Sequence, residues 1–238
     1  MTELYNQLLF RPLFNLLIFI YNIIPGGDFG LAIILLTLIV RFVFFPLSIK
    51  ALVSQKELGR LQPKIKELQD KYKNDKQALG RATMELYKEH KVNPFGGCLP
   101  ILVQLPVLIA LYSALGSGLK PESFSALYSF IDNPGAIKQI AFGFIDLTHK
   151  SPYLAILAGV MQWFQSKQAA KLQGPVDKSS PTAAFQMNKQ MLYFFPVMVI
   201  IIAWNLPTGL VIYWVAATVF SIFEQLYINR KYKTASLQ

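Results

Sequence analysis

The sequence predicts an all-α membrane protein with five transmembrane helices, a cytoplasmic helical hairpin and an N-terminal interfacial helix. Three observations point there. Of 238 residues 53% are hydrophobic and mean hydropathy is +0.39, yet the net charge is +10, a pairing unusual for soluble domains. Apolar runs recur at residues 29–49, 97–117, 152–165, 191–206 and 209–228, and a run of about 20 such residues is long enough to cross a membrane as helix. Lys and Arg are concentrated in alternate segments between these runs.

Taken in order, residues 1–28 are apolar but contain Arg11 and Pro12 and end at Pro25-Gly26-Gly27. A signal peptide, a sixth span and an amphipathic helix lying in the outer interface are all open readings. Glu3 precedes the apolar part and no A-x-A pattern follows it, so the interfacial helix is preferred. Residues 29–49 form the first span. Residues 50–96 are highly charged, with Leu58, Leu61, Ile65, Leu68 and Tyr72 spaced 3, 4, 3 and 4, and then Leu79, Ala82 and Leu86 spaced 3 and 4. Two helices with facing seams and a turn at Asn74-Asp75 make a coiled-coil hairpin, which Pro63 is expected to kink. Residues 97–117 form the second span, and 118–151 a semi-apolar extracytoplasmic loop expected to hug the membrane surface. Residues 152–228 hold the third to fifth spans, with a Gly, Pro and Ser-rich loop over 171–181, and 229–238 a short basic tail.

Orientation follows from the basic residues, which membrane insertion reads. Residues 50–96 hold 11 basic against 6 acidic residues, 118–151 hold 3 of each, and 166–190 hold 4 against 1. The tail adds Arg230, Lys231 and Lys233. The N-terminus is therefore expected outside and the C-terminus in the cytoplasm, and only an odd number of spans after residue 29 fits. The lack of an Arg-rich presequence points to a bacterial cell membrane. Cys98 is the single cysteine, so no internal disulfide forms, and its mid-chain position favours a buried thiol over a lipidation site.

Enzyme signatures are missing. The two histidines, His90 and His149, lie outside the spans, and no H-E-x-x-H, G-x-S-x-G or Walker sequence occurs; covalent catalysis, a metal and a cofactor are not expected. What stands out is Arg41, inside "LTLIVRFVFFPL" with no acid in the same run. An Arg at a span centre costs about 2.5–3.5 kcal/mol on an insertion scale. Snorkelling offers little, because Arg41 lies two residues from the span centre at Ile39, about 3 Å along the axis. The other polar groups in the runs are Thr37, one turn from Arg41 on the same face, Gln104, Gln162 and Gln165, and Tyr213, Thr218 and Ser221. A hydrated cavity open to the cytoplasm and lined by these groups satisfies Arg41 best. A salt bridge to Glu224 or an ordinary helix–helix hydrogen bond is the competing reading. The run 152–165 would measure only about 21 Å as helix, and a short span thins the bilayer around it.

Several blocks carry a resemblance: "DFGLAIILLTLIVR" followed by "FPL", "LQPKIKELQDKY", "ELYKEHKVNPFGGCLPILVQLPVLIALY" and "NLPTGLVIYW". In this order, from residue 29 to 227, they resemble the YidC/Oxa/Alb family of membrane protein insertases. The resemblance implies five conserved spans around a hydrophilic groove, closed outward and open to cytoplasm and lipid, with one essential arginine at the position of Arg41. It also implies that Gln104, Gln162 and Tyr213 or Trp214 line the groove or touch the client, although Trp214 equally suits an interfacial aromatic belt with Trp163 and Trp204. The layout resembles the compact members that lack a large periplasmic domain, and the short tail argues against ribosome docking through it. The implied partners are nascent membrane proteins and membrane lipids, with a Sec translocon, the signal recognition particle receptor and the ribosome as further candidates, and no role for DNA. On the hairpin, Lys64, Lys71, Lys73 and Arg81 are either a solvated face that enforces topology or a contact for an acidic partner. A rival reading of the chain is an ion or small-anion transporter with Arg41 as substrate site.

Overall fold

The computed structural model describes residues 3–73, 75–93, 99–116, 121–172 and 183–234. Asn74, Cys98 with the rest of 94–98, residues 173–182 of the Gly, Pro and Ser-rich loop and residues 235–238 of the tail lie outside them. The described chain is mostly helical. A short turn α1 (Glu3–Tyr5) runs through a π-helical stretch, Asn6–Phe10, into α2 (Arg11–Ile23). There follow α3 (Phe29–Arg60), α4 (Gln62–Lys71), α5 (Lys76–Glu89) and α6 (Leu99–Gly116). A 3-10 helix (Pro121–Ala126), two strands β1 (Ile140–Ala141) and β2 (Ile145–Asp146), then α7 (Pro152–Leu172), α8 (Ala183–Asn205) and α9 (Thr208–Thr234) complete it. The two strands are an addition to the expected all-α class, an antiparallel pair joining Ile140 to Asp146 and Ala141 to Ile145.

Among the described residues, two helices are long and apolar enough to cross a membrane, α3 and α9 from Thr208 to Lys231; the described apolar parts of α6 (Gln104–Leu115) and α8 (Leu192–Asn205) are shorter. At 1.5 Å per residue α3 is about 48 Å long, so it outruns a hydrocarbon core near 30 Å. The expected first span and the start of the expected hairpin thus lie in one helix. The first leg is interrupted at Leu61, two residues before Pro63: α3 ends at Arg60 and Pro63 sits in the first turn of α4, where its missing N–H forfeits no helical bond. α7 likewise continues to Leu172, so its apolar stretch is short but the helix is not.

The chain divides into two compact units. The first comprises Met1–Phe44, Ile101–Gln162 and Pro196–Phe220. Its core joins Phe14, Leu17 and Ile18 of α2, Phe29, Ile33 and Leu36 of α3, Leu111 of α6 and Leu210 of α9. The apolar residues of α2 at 14, 17, 18 and 21 are buried while Phe19 and Ile23 are exposed, which makes α2 a one-sided helix. The π-helical entry fits Pro12: the Arg11 N–H reaches back five residues to the Asn6 carbonyl, and the following proline has no donor to offer.

Polar side chains of α2 hold the loop between α6 and α7. Asn15 donates to the Ala126 carbonyl at 3.1 Å and accepts the Tyr128 N–H at 2.6 Å; Arg11 Nε also donates to the Ala126 carbonyl at 3.1 Å and its guanidinium lies 4.9 Å from the Tyr128 ring centre. Asn22 donates to the Asp132 carbonyl at 2.7 Å, and Tyr21 Oη accepts the Lys138 N–H at 3.1 Å. The block "DFG" has its explanation here. Asp28 caps α3 by accepting the Leu31 N–H at 2.9 Å and accepts the Phe142 N–H from the strand pair at 2.5 Å, satisfying a helix-end donor and a loop donor at once. A Cβ at Gly30 would stand 2.5 Å from the Ala141 Cβ, so only glycine lets the strand pair approach. Further on, the N–H groups of Thr208 and Gly209, which open α9, donate to the His149 and Leu147 carbonyls, both at 3.0 Å. The Asp146 carboxylate that shapes this turn accepts from the Thr148 hydroxyl at 2.6 Å, the Thr148 N–H at 2.8 Å and the His149 N–H at 3.3 Å. The Thr148 bonds hold its carboxyl well below the usual carboxylate range, so the turn is stabilised at neutral pH and loses that support as pH falls from the ordinary carboxylate pKa toward the depressed one.

α7 and α8 meet within this unit through small residues: Ala155, Ala158 and Ala203 are buried, and a Cβ on Gly159 would overlap Ile200 and stand 3.1 Å from the Pro196 carbonyl. In lipid, close packing of small residues rather than the hydrophobic effect holds helices together. Gly159→Ala is therefore expected to lower the thermal unfolding temperature of the detergent-solubilised protein, since overpacking of about 1–3 kcal/mol outweighs the roughly 1 kcal/mol that Ala gains over Gly in a helix. Adding Ile200→Ala should recover part of the loss, and unchanged stability in the single variant would refute the close approach.

The second unit comprises Phe45–Pro100, Trp163–Phe195 and Ser221–Gln238. Leu52 of α3 and Ile228 of α9 form its small buried cluster, joined by Ile49 and Val53. α4 and α5 are in contact, with Leu61 and Ile65 buried, and Asp75 caps α5 by accepting the Ala78 N–H at 2.9 Å. His90, at the C-terminal end of α5, lies with Nε2 2.9 Å from Lys64 Nζ and Nδ1 3.0 Å from the Leu86 carbonyl. Those distances suit a ring that donates from Nδ1 and accepts the Lys64 proton at Nε2.

Candidate functional site

Arg41 lies in α3, partly buried. Its Nη2 donates to Gln104 Oε1 of α6 at 2.8 Å, and Gln104 Nε2 donates to Tyr213 Oη of α9. Three helices of the first unit are thus joined by one chain of hydrogen bonds. The order of donors fixes the amide of Gln104: a guanidinium offers only donors, so the amide oxygen must face Arg41 and the amide nitrogen must face the phenol oxygen. Tyr213 is only 3% exposed, so its hydroxyl acts from behind the glutamine. The Gln104 amide holds the guanidinium by a charge-assisted hydrogen bond and supplies no counter-charge of its own.

The other expected site residues are placed differently. Thr37 is 1% exposed, and its hydroxyl donates to the Ile33 carbonyl of its own helix at 2.6 Å, a back-bond common for Thr within helices. Trp214 is partly buried and follows Tyr213 directly, about 100° around α9, so the two rings point in different directions and the bond to Gln104 goes to Tyr213. Gln162 and Thr218 are buried in the same unit, and Ser221 and Glu224 are buried in the second. On the hairpin Lys64, Lys71, Lys73 and Arg81 are all exposed. Lys64 meets His90 as described, Lys71 lies 5.4 Å from the Tyr72 ring centre, and Lys73 is 3.5 Å from Asp70. Such exposed pairs are worth about 0–1 kcal/mol and yield readily to a partner. Asn15 and Asp28, which position the loop, had no place among the expected site residues. The signal for Asp28 was present as an acidic residue three positions before a helical N–H.

Residues 19–235 match the profile of the 60Kd inner membrane protein family. The chain is 39% identical over 207 residues to a membrane protein insertase YidC of Fusobacterium nucleatum, a match covering 86% of this chain and 88% of that protein. It is 38% identical over 230 residues to the membrane protein insertase YidC of Geobacter sulfurreducens and 39% identical over 222 residues to that of Citrifermentans bemidjiense. These matches cover 96% and 92% of this chain but 38% and 36% of the two relatives, so the chain spans little more than a third of their length. The chain belongs to the 60Kd inner membrane protein family, the family of the membrane protein insertases YidC.

Proposed function

We propose that the chain is a bacterial membrane protein insertase and chaperone that moves short extracytoplasmic tails of small membrane proteins across the bilayer, without nucleotide or metal. α3, α6, α7, α8 and α9 are its five spans, with the N-terminus outside and the C-terminus in the cytoplasm. Arg41 stands in a hydrophilic groove open to cytoplasm and lipid, where it draws in acidic residues of the tail. Gln104, Gln162, Tyr213 and Trp214 contribute to that groove, with Thr37 in its wall. The observation that carries this reading is the Arg41–Gln104–Tyr213 chain, a guanidinium tied to an amide and a phenol across three helices. The exposed basic face of α4 and α5 receives clients or delivery factors, a Sec translocon, a signal recognition particle receptor or the ribosome among them.

The test is site-specific photocrosslinking from positions 104, 162 and 214 to a stalled nascent membrane protein. Crosslinks from these positions, and none from the exposed apolar residue Ile201 of α8 when the client carries no hydrophobic segment, are the expected result. Saturable uptake of a small anion by the purified protein in liposomes, with no client crosslinked, would establish a transporter instead.

A further inference from the structure

The strand pair carries three features that belong together. Its turn places Phe142 at φ 54° and Gly143 at φ 80°, a left-handed pair suited to a tight hairpin, and a bulky residue rarely accepts the first of these conformations. The turn is nonetheless fixed, because Asp28 accepts the Phe142 N–H and Ala141 is fully buried. On this fixed tip Phe144 is 79% exposed, and Phe142, which packs one ring edge toward Gly30, is 40% exposed. The tip does not stand clear of the helices. A Cβ on Gly30, the second residue of α3, would lie 3.1 Å from Cε2 of the Phe142 ring, so the tip lies alongside the first turn of a helix long and apolar enough to cross a membrane.

Two more aromatics lie on the same loop and its exit. Phe130, 77% exposed, stacks on Tyr128 with ring centres 5.5 Å apart, and Tyr128 is held by Asn15 and Arg11. Tyr153, 85% exposed, is the second residue of α7. The loop is otherwise balanced, with 3 basic and 3 acidic residues, so no net charge directs it to a charged macromolecule. An aromatic ring with a rigid backbone beside the outer end of a span has a natural place in the headgroup zone, where amphipathic and aromatic side chains gather, and exposing rings this fully to water forgoes their burial.

We propose that the 140–146 hairpin is a membrane-interface wedge: Phe144 and Phe142 at its tip, flanked by Phe130 and Tyr153, insert into the outer leaflet and hold the extracytoplasmic loop against the lipid. Its partner is the lipid surface itself. The wedge fixes the outer ends of α3 and α9, to which the loop is bonded through Asp28, Leu147 and His149. This inference rests on the reading of α3 as a span, and the test separates the two.

The protein with Cys98→Ser is reconstituted in nanodiscs of phosphatidylcholine and phosphatidylglycerol, and single cysteines are labelled with an environment-sensitive fluorophore. Phe144→Cys, Phe130→Cys and Tyr153→Cys test the wedge, Lys73→Cys on the hairpin of α4 and α5 is the aqueous reference, and Ile39→Cys is the mid-span reference. Labels at 144, 130 and 153 are expected to emit further to the blue than the label at 73. They should also be quenched several-fold more by lipids with a nitroxide near the headgroup and several-fold less by aqueous iodide. Iodide access at 144 equal to that at 73 overturns the wedge, provided the label at 39 is quenched by deep nitroxides. Protection from iodide without lipid quenching also overturns it, because a second copy or another protein then covers the tip. Failure of the label at 39 to respond to deep nitroxides removes the span reading and the wedge with it.

Discussion

Arg41→Ala is expected to lose most insertion of clients whose translocated tail is acidic, Arg41→Glu to lose more, and Arg41→Lys to keep the larger part. A carboxylate about 8 Å from the guanidinium, at an effective dielectric constant near 20, gains about 2 kcal/mol, roughly 30-fold in occupancy. Reversing the charge turns the attraction into a repulsion of like size, so the Ala and Glu variants should differ again by about 30-fold. Lys preserves the charge and lacks the planar fork, so it gives up geometry rather than attraction. Clients with neutral tails have nothing to lose by this route, and the ratio of acidic-tail to neutral-tail insertion in reconstituted vesicles is the measurement. If the attraction acts in the proposed groove open to the cytoplasm, it is screened with a Debye length of about 8 Å at physiological ionic strength, and the same ratio should fall as salt rises in the wild type and stay flat in Arg41→Ala. Equal loss of both client classes in Arg41→Ala would make Arg41 a structural residue, and unimpaired insertion of acidic tails would end the electrostatic mechanism.

The features legible in the sequence were those with a local signature. Apolar runs gave α3 and α9, and the 3, 4 spacing from Leu58 to Leu86 gave the hairpin of α4 and α5, because helix periodicity is written in near neighbours. Pro63 was visible but its consequence was not: whether a proline kinks a helix or starts one depends on where the preceding helix ends, here Arg60. The attachment of the outer loop to α2 had no local signature. Asn15 meets Ala126 and Tyr128 across more than a hundred residues, and a single asparagine in an apolar segment does not announce its partner. The strand pair was missed because two residues per strand are too few for an alternating pattern, and its turn rests on one glycine and a phenylalanine. At the site, Arg41, Gln104 and Tyr213 each stood out as a polar group in an apolar run, while the bond order among them is a tertiary fact. Thr37 shares a helix face with Arg41, as the spacing says, but a face does not determine a hydroxyl's partner, and the Ile33 carbonyl takes it.

That bond order yields a sharper experiment than removing the charge. Gln104→Glu retains the size and shape of the side chain and puts a carboxylate where the amide oxygen accepts from Arg41 Nη2 at 2.8 Å. Arg–carboxylate pairing is stronger than a neutral hydrogen bond, so the substitution compensates the charge of Arg41 in place and leaves no net attraction for a client. Acidic-tail insertion should fall about as far as in Arg41→Ala, while neutral-tail insertion persists and the unfolding temperature in detergent stays near or above the wild-type value. Gln104→Leu acts in the opposite sense on both readouts. It removes the acceptor for Arg41 and the donor to Tyr213 Oη, costing about 1–3 kcal/mol of stability if those polar groups are left without replacement, but it does not cancel the positive charge, so preference for acidic tails survives in the folded fraction. Tyr213→Phe tests the outer link of the chain, since it leaves Gln104 free to rotate while keeping the ring in the core; acidic-tail preference should weaken and should be restored by no change at Trp214, which points elsewhere on α9. A Gln104→Glu protein that folds and still prefers acidic tails as strongly as the wild type would show that the charge of Arg41 is not what the client meets.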